Sequence, residues 1–467
     1  MKGDVISSLS LQAIPERGRM KAVIFLLVVV FCTASFLQPA AGSEQVISLR
    51  EAILTSFAGN HELKGRQSQL EANRADIGIA RSSLLPTLAI EEKFQRTANP
   101  TYSFMSKLNQ ERFTAQDFAI DSLNNPDAIS DFQTLFSIEQ PLFVRQATIG
   151  LDMAKKQHEI ASREYLRKKE EIALEVVKTF LMVRTSREYV DVAAKGVDDA
   201  REHVRLSELR FNNGLGLYSD TLRARTALAE AEQKLVSAGK NHDVAKKGLG
   251  LLLGLEESVD AGQEKVDLPL MAMDYYTKAS LRREDVKALE GQQENARKNL
   301  ALATAGYLPT VGLAGSYMLN DHDVPLGSEG ESWLVAAVLR WQLFDGSRRE
   351  YERIKARHRI TETEQYLQGL KKAVEFKVYE AYRSVEETRK NLELAQSARL
   401  MAEEGQRLVQ VRYENSLSPL IDLLDAQVAL DHARAVVVAR ENDHELVKAR
   451  LSFESGTILH DLQVETQ

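Results

Sequence analysis

The chain has 467 residues, of which 27% are charged and 7% are aromatic, and its formal net charge is −7. Lysine and arginine alternate with acidic residues, so no stretch has the basic footprint of a nucleic-acid site. Only 10 prolines and 25 glycines interrupt a sequence rich in alanine, leucine, glutamate and lysine. This composition is typical of long helices rather than of a mixed α/β core.

The first 42 residues have the pattern of a secretory signal peptide. Basic residues precede the apolar run Ala22–Phe31, and small residues follow up to Gly42. Met20 begins a more ordinary leader, so either Met1 or Met20 is the start. The only cysteine, Cys32, lies in this leader, so we expect a mature chain without thiol chemistry. No later apolar run reaches the roughly 18 residues of a spanning helix, which leaves strands as the route into a membrane.

A long internal repeat organises the rest of the sequence. Residues 210–254 and 412–456 align without a gap, and each residue, such as Arg210 and Arg412, lies 202 positions from its equivalent. Both copies open with arginine and an aromatic residue and lead through a short polar turn into an Ala/Leu-rich helix. We predict a first repeat over 43–257, a linker over 258–275, a second repeat over 276–456 and a tail over 457–467.

The first repeat reads as helix, strand hairpin and long helices. A capping box at Ser48 and Glu51 begins a helix that is predicted to run to Leu85. Later elements are predicted from apolar periodicity and from the positions of proline: a strand at 87–96, a polar loop at 97–131, a strand at 132–140 ended by Pro141, one helix at 144–211 and a return helix at 219–253.

The second repeat follows the same order. Its predicted elements are a helix at 276–305, strands at 311–319 and 333–342 around a short loop, and a second long helix at 347–413. The tract Leu84–Leu88 matches Tyr307–Val311 at a larger offset than 202, because the first hairpin loop is about 22 residues longer.

The return helix carries a heptad seam of alternating small and large residues. Its positions are Ala224, Leu228, Ala231, Leu235, Ala238, His242, Ala245, Leu249 and Leu252, and the second copy keeps most of the pattern. Such a seam requires a partner helix, but an ordinary coiled coil explains it equally well.

The four strands distinguish the alternatives better than the helices do. Each strand has one apolar face and the length of a membrane strand, and Trp333 and Trp341 are predicted at the two ends of the last one. Four strands cannot close a barrel, so several protomers would have to pool them. The alternative is a four-stranded sheet in a soluble protein.

These features together resemble one known family. The paired Leu-Pro-Thr tracts, the exits Gln140–Phe143 and Trp341–Phe344, and the turn Ser418–Ala426 are similar to those of TolC-like outer-membrane efflux proteins. The resemblance covers essentially the whole mature chain. It implies a mainly α fold with a small transmembrane β part. Three protomers would share a 12-stranded barrel and a periplasmic helical tunnel. A periplasmic adaptor and an inner-membrane pump would be partners, and the loops at 97–131 and 320–332 would face outside.

The resemblance also suggests functional residues. Asp422 and Asp425 match acids that line the narrow periplasmic entrance of such channels, where rings of charge select ions. Without it, both acids could simply stabilise a helix N-terminus. Tyr413 and Asp220 match members of a network that holds the entrance shut, although Ser418 stands where an arginine is common. Four residues match the hairpin tips that dock the adaptor in such channels, although they could equally serve only to form turns: Gly214, Leu215, Gly216 and Leu417.

An enzymatic function finds no support in the sequence. Motifs for metalloprotease, phosphate-loop or nucleophile-elbow chemistry are missing, and we expect no cofactor or metal. Asp321, His322 and Asp323 could touch a metal, but in a polar loop we interpret them as turn residues. The function predicted is an outer-membrane exit duct for small molecules, metal ions or polypeptides. The alternative is a periplasmic coiled-coil scaffold or adaptor without a pore.

Overall fold

The computed structural model describes residues 45–464, so the predicted signal peptide lies outside the described part of the chain. This part is mainly helical. Its helices are α1 (Leu49–Gly59), α2 (His61–Ser82), α3 (Pro100–Asn109), α4 (Ile120–Asn124), α5 (Arg145–Asn212), α6 (Tyr218–Leu253), α7 (Met273–Ser280), α8 (Glu284–Ala305), α9 (Arg348–Glu414), α10 (Leu420–Ser455) and α11 (Ile458–Asp461). Its strands are β1 (Gln45–Ile47), β2 (Thr87–Thr97), β3 (Ile129–Phe143), β4 (Val259–Ala261), β5 (Thr310–Asp321) and β6 (Gly330–Arg340).

The opening helix is broken where the sequence predicts continuity. The Ser48–Glu51 capping box forms as expected, but α1 ends at Gly59. The Asn60 side chain then caps α2 by accepting hydrogen bonds from the backbone of Glu62 and Leu63. A Cβ at Gly59 would lie 2.1 Å from the Leu253 carbonyl oxygen, so the break allows two backbones to touch. This tertiary contact is invisible to helical periodicity.

The four longer strands form one antiparallel sheet in the order β2-β3-β5-β6. The centre pair β3 and β5 joins the two repeats, so the sheet belongs to both. In register, Ile90 lies opposite Phe136, Phe136 opposite Tyr317, and Tyr317 opposite Trp333. One face of the sheet is therefore largely apolar across all four strands.

The strand ends differ from the prediction. Pro141 does not end β3, which continues to Phe143 across a register irregularity that accommodates the missing N–H. In the other repeat β6 ends at Arg340, so Trp341 lies just beyond the strand instead of within it. Its indole donates a hydrogen bond to the Tyr307 carbonyl oxygen at 3.1 Å.

The first hairpin connection is not the plain polar loop that the sequence suggests. It contains α3, which begins with Pro100 after an Asn99 cap, then a 3₁₀ turn and α4. Phe113 packs edge-on between two other phenylalanines at centroid distances of 4.8 and 5.0 Å. The fully buried Asp131 carboxylate accepts hydrogen bonds from Gln110 (2.9 Å) and Asn320 (3.1 Å), which ties the connection to both hairpins.

Two very long helices confirm the predicted rods. Helix α5 has 68 residues and α9 has 67; at about 1.5 Å per residue each is on the order of 100 Å long. Each is followed by a return helix of 36 residues, α6 or α10. The chain thus forms two helical hairpins, one in each repeat.

The heptad seam packs α6 against α5. Ala224 and Leu249 on the seam are fully buried. His242 bonds the Ser186 hydroxyl at 3.0 Å, and the equivalent pair in the second hairpin, His444 and Thr388, is joined at 3.1 Å. The internal repeat is therefore preserved at the level of single hydrogen bonds.

The main core lies where α1 and β4 meet the long helices of both repeats. Ile53, Phe180 and Leu253 are fully buried within it. The predicted linker contributes β4, which pairs with β1. The predicted helix 276–305 is divided into α7 and α8 around Arg283, whose guanidinium is held by Glu454 and Asp285. None of the helices within 45–464 combines the length and apolarity needed to cross a membrane.

Candidate functional site at the hairpin tips

The two hairpin tips close with the same backbone geometry. Gly214 (φ 74°) and its repeat equivalent Ser416 (φ 63°) both adopt the left-handed conformation. The next residue then donates its N–H back to the helix: Leu215 to the Arg210 carbonyl oxygen at 2.8 Å and Leu417 to that of Arg412 at 2.7 Å. This is the hydrogen bond of a Schellman-type helix end. Gly214 therefore has a conformational reason to be glycine.

The turn geometry leaves apolar side chains in solvent. Leu215 is 65% exposed and Leu417 is 68% exposed. Gly216 lies against the Arg210 side chain, where an added Cβ would come within 3.2 Å of the Arg210 Cβ. The four residues predicted as docking tips are thus placed together at the ends of the hairpins, with two leucines pointing outward.

Tyr413 lies in the contact between the two repeats. It is 2% exposed and packs with Leu206 of α5 and Leu420 and Leu423 of α10. Burial raises the pKa of Tyr413; the positive charge of Arg210 opposes this shift and the Asp220 carboxylate adds to it. Asp220 therefore acts on Tyr413 through its charge.

The Tyr413 ring is contacted by the side chain of Arg210, a residue for which no role was predicted. Its guanidinium lies over the Tyr413 ring with 4.4 Å between the guanidinium carbon and the ring centroid. It also donates hydrogen bonds to the carbonyl oxygens of Tyr413 and Leu215. The signal was present, because both repeats open with arginine and an aromatic residue. Arg210 thus fastens the end of α5 to the end of α9.

Asp422 and Asp425 lie in the first two turns of α10. Both carboxylates are exposed, and Asp422 is in the first turn of the helix. The cap residue Pro419 makes no side-chain capping bond. A carboxylate in the first turn stabilises the helix by interacting with the positive end of its dipole. The exposure suits a pore lining, and the position suits helix stabilisation.

Ser418 occupies the point between the tip and α10. Its hydroxyl is buried and has no hydrogen-bond partner among the described residues. Ser418 is the equivalent of Gly216 in the first repeat, so small residues occupy this position in both tips. The Ser418 side chain makes no cross-repeat contact of the kind an arginine could make.

The residues considered for metal binding lie far along the chain from the tips, at the end of β5. In the structure the third member of the group is Glu329 and not Asp323: ligand atoms of Asp321, His322 and Glu329 lie within 4.8 Å of one another. His322 Nδ1 is 2.6 Å from Glu329, and Asp321 accepts the backbone N–H groups of Asp323 and Val324. These contacts fit the turn chemistry expected from the sequence.

The fold and the tips together define a class of protein: a two-repeat chain in which a strand hairpin and a long helical hairpin alternate. Comparison with known proteins gives the family. Residues 54–255 and 275–456 match the family "Outer membrane efflux protein". The chain therefore belongs to the outer membrane efflux protein family and is TolC-like. It is an exit duct of the outer membrane that extends into the periplasm.

Individual relatives agree with this assignment. The chain is 24% identical over 401 residues to Protein CyaE of Bordetella pertussis, covering 83% of this chain and 80% of CyaE. It is 22% identical over 392 residues to outer membrane protein OprJ of Pseudomonas aeruginosa, covering 81% and 78%. The crystal structure of the open state of the MtrE outer membrane channel of Neisseria gonorrhoeae superposes with a TM-score of 0.72 at 18% identity, covering 90% of both chains.

Proposed function

We propose that three copies of this chain assemble into one channel by pooling their strands into a 12-stranded barrel. The observation that carries the proposal is the sheet itself. Within the described residues β2 and β6 each pair on one side only. Its apolar face is also exposed: Leu88 is 78% exposed and Trp333 is 76% exposed. An apolar face and two open edges fit a barrel segment in lipid.

The helices support the same assembly. Exposed apolar residues line α6 and α9 on surfaces that no other described element covers, namely Val236, Val244, Leu251, Phe376, Leu394, Leu400 and Met401. A single chain would leave these residues in water, whereas neighbouring hairpins would bury them. The domain organisation proposed is a repeat over 43–257 and a repeat over 276–456, joined by 258–275.

The periplasmic entrance would be formed by the hairpin tips of three protomers. Three copies of Asp422 and Asp425 would give two rings of negative charge across a narrow pore. The contact of Tyr413 with Arg210, together with the nearby Asp220, would hold α5 against α9 and α10 and keep the entrance narrow. Because Ser418 supplies no arginine, Arg210 takes over the cationic part of this closure.

The exposed leucines at the tips would receive the partner. Leu215, between Gly214 and Gly216, and Leu417, between Ser416 and Ser418, form a small apolar surface suited to the end of a periplasmic adaptor hairpin. An inner-membrane pump would drive transport, because the chain offers no motif for an energy source of its own. The cargo would be chosen by that pump, and the chain itself would act as a channel and not as an enzyme.

Native mass spectrometry of the detergent-purified protein tests the assembly. We expect a trimer that resists dissociation until heated. A matched variant, Leu215→Glu with Leu417→Glu, should remain trimeric because the tips are remote from the sheet. A monomer in detergent that keeps its helical circular dichroism would contradict the pooled barrel and favour a scaffold.

A further inference from the structure

A second contact joins the two repeats near the tips, and it is polar. Gln427 of α10 is 6% exposed and its amide nitrogen donates to Asp199 of α5 and to Asp431 of α10, both at 2.9 Å. Arg434 donates to the same Asp199 carboxylate at 3.0 Å. His203 of α5 is 2% exposed, and its Nε2 atom lies 3.3 Å from the side-chain oxygen of Gln427.

The hydrogen bonds determine which nitrogen of His203 carries the proton. The Gln427 amide nitrogen faces two carboxylates, so its oxygen must face His203. An oxygen accepts, and therefore Nε2 of His203 is the protonated nitrogen. Nδ1 is left buried without a hydrogen-bond partner among the described residues. In this contact the imidazole is held neutral with a bare lone pair.

This arrangement occurs on only one side of the internal repeat. The positions equivalent to Asp199, His203, Gln427 and Asp431 are Met401, Gly405, Arg225 and Ala229. The duplicated hairpin therefore does not need this cluster in order to fold. The polar residues serve the contact of α5 with α10, which joins the first repeat to the second.

We propose that His203 and Gln427 form a proton-sensitive clamp that holds α5 against α10 and is released when His203 is protonated. This inference rests on the proposed function, in which separation of these helices opens the periplasmic entrance. It is distinct from the Arg210–Tyr413 contact, which contains no imidazole.

The electrostatics support the direction of the effect. Burial lowers the pKa of His203, against the raising influence of the Gln427 hydrogen bond and of Asp199, Glu202 and Asp431. Once the helices separate, water reaches the ring and its pKa returns to about 6.5. The separated state then binds the proton more tightly, so the clamp is fully effective above about pH 6.5 and weakens as the pH falls below it.

Other charged groups also face the clamp. Burial raises the pKa of Asp431, so its protonation favours the closed contact and opposes the His203 effect. Arg434 contributes a positive charge that pairs with Asp199 and lies 3.7 Å from Asp431. From α6, Glu230 and Lys234 line the groove of about 820 Å³ that adjoins His203 and Gln427, together with the exposed His432 of α10. Loosening the contact would admit water from this groove.

Channel recordings of the full-length protein in planar bilayers at pH 7.5 and pH 5.5 test the clamp. We expect the time-averaged conductance of the wild type to rise at least about threefold at the lower pH, since one pKa unit is tenfold in the open-to-closed ratio. His203→Gln keeps a donor to Gln427 but cannot be protonated, so its conductance should not respond. His432→Gln, in the same groove, should respond like the wild type.

Two further results separate the clamp from the channel itself. Gln427→Ala should conduct more than the wild type at pH 7.5 and respond less to acid. Hydrogen exchange of residues 199–207, corrected for intrinsic rates, should show loss of protection at pH 5.5 in the wild type but not in His203→Gln. A His203→Gln variant with the wild-type response, or unchanged protection, would overturn the clamp. No conductance at either pH, with the exchange result intact, would instead count against the proposed channel.

Discussion

At the scale of single residues, the two repeats are joined by buried charge pairs. Arg184 of α5 is 2.8 Å from Glu445 of α10 and donates to the Glu264 carbonyl oxygen at 3.0 Å. Glu445 also accepts the Val266 N–H at 3.0 Å. One ion pair thus connects both hairpins with the segment between the repeats. Removing Arg184 would leave the Glu445 carboxylate buried without its cationic partner.

The cost of removing Arg184 should depend strongly on whether Glu445 keeps its charge. Arg184→Met should destabilise the protein by about 3–5 kcal/mol, because the Glu445 carboxylate is left uncompensated. Arg184→Met with Glu445→Gln should cost clearly less, since the amide still accepts the Val266 N–H and carries no charge. Chemical denaturation followed by circular dichroism measures both. Equal losses in the single and double variants would show that the buried charge is unimportant.

Arg210 predicts a change in gating instead of stability. Arg210→Gln removes the guanidinium from the Tyr413 ring and leaves a shorter side chain to donate hydrogen bonds. Cation–π contacts are worth about 0.5–2 kcal/mol, so the conductance at neutral pH should rise severalfold. Arg205→Gln is the matched control, because among residues 45–464 the ion pair of Arg205 is with the exposed Glu202 one turn away. A similar rise in both variants would assign the effect to surface charge.

At the scale of elements, Gly59 marks the place where α1 meets α6. Gly59→Ala should lower the thermal midpoint, because the new methyl group would collide with the Leu253 carbonyl. Gly65→Ala, within α2 and with nothing within 4 Å of its built Cβ, should instead raise stability by about 0.5–1 kcal/mol. Thermal unfolding distinguishes them. Stabilisation by both changes would mean that the backbone contact is not close.

The strands predict opposite outcomes for adjacent residues. Val335 belongs to the apolar face, opposite Gly315, while Ala336 points to the other face. Val335→Arg should reduce insertion into liposomes strongly, at about 2–4 kcal/mol per copy in the bilayer interior. Ala336→Arg should insert nearly normally. Flotation of refolded protein with vesicles reports insertion, and equal insertion of both variants would contradict a lipid-facing surface.

Much of this element structure could be predicted from sequence. Periodicity and proline placement gave the four long strands and the long helices to within a few residues, because those elements obey one period over many residues. The break at Asn60, the division at Arg283 and the helices within 97–131 were missed. Each depends on a cap or on a distant contact, such as Gly59 with Leu253, that leaves no periodic trace.

At the scale of the whole molecule, the candidate site at the hairpin tips could likewise be predicted only in part from the sequence. The turn residues and the acids could be placed from the repeat and from the family resemblance. The Arg210–Tyr413 and His203–Gln427 contacts could not be predicted, because each joins residues more than 200 positions apart through side-chain geometry. Duplication makes the two hairpins alike, so the differences between them are where specialised contacts are found.

We propose that three copies form a channel whose entrance is lined by Asp422 and Asp425. Single-channel conductance in planar bilayers, comparing the wild type with Asp422→Asn plus Asp425→Asn, tests it most directly. We predict a small cation-selective conductance that loses its selectivity in the double variant, because two rings of charge are removed. A wild type without conductance, or a double variant with unchanged selectivity, would contradict the account.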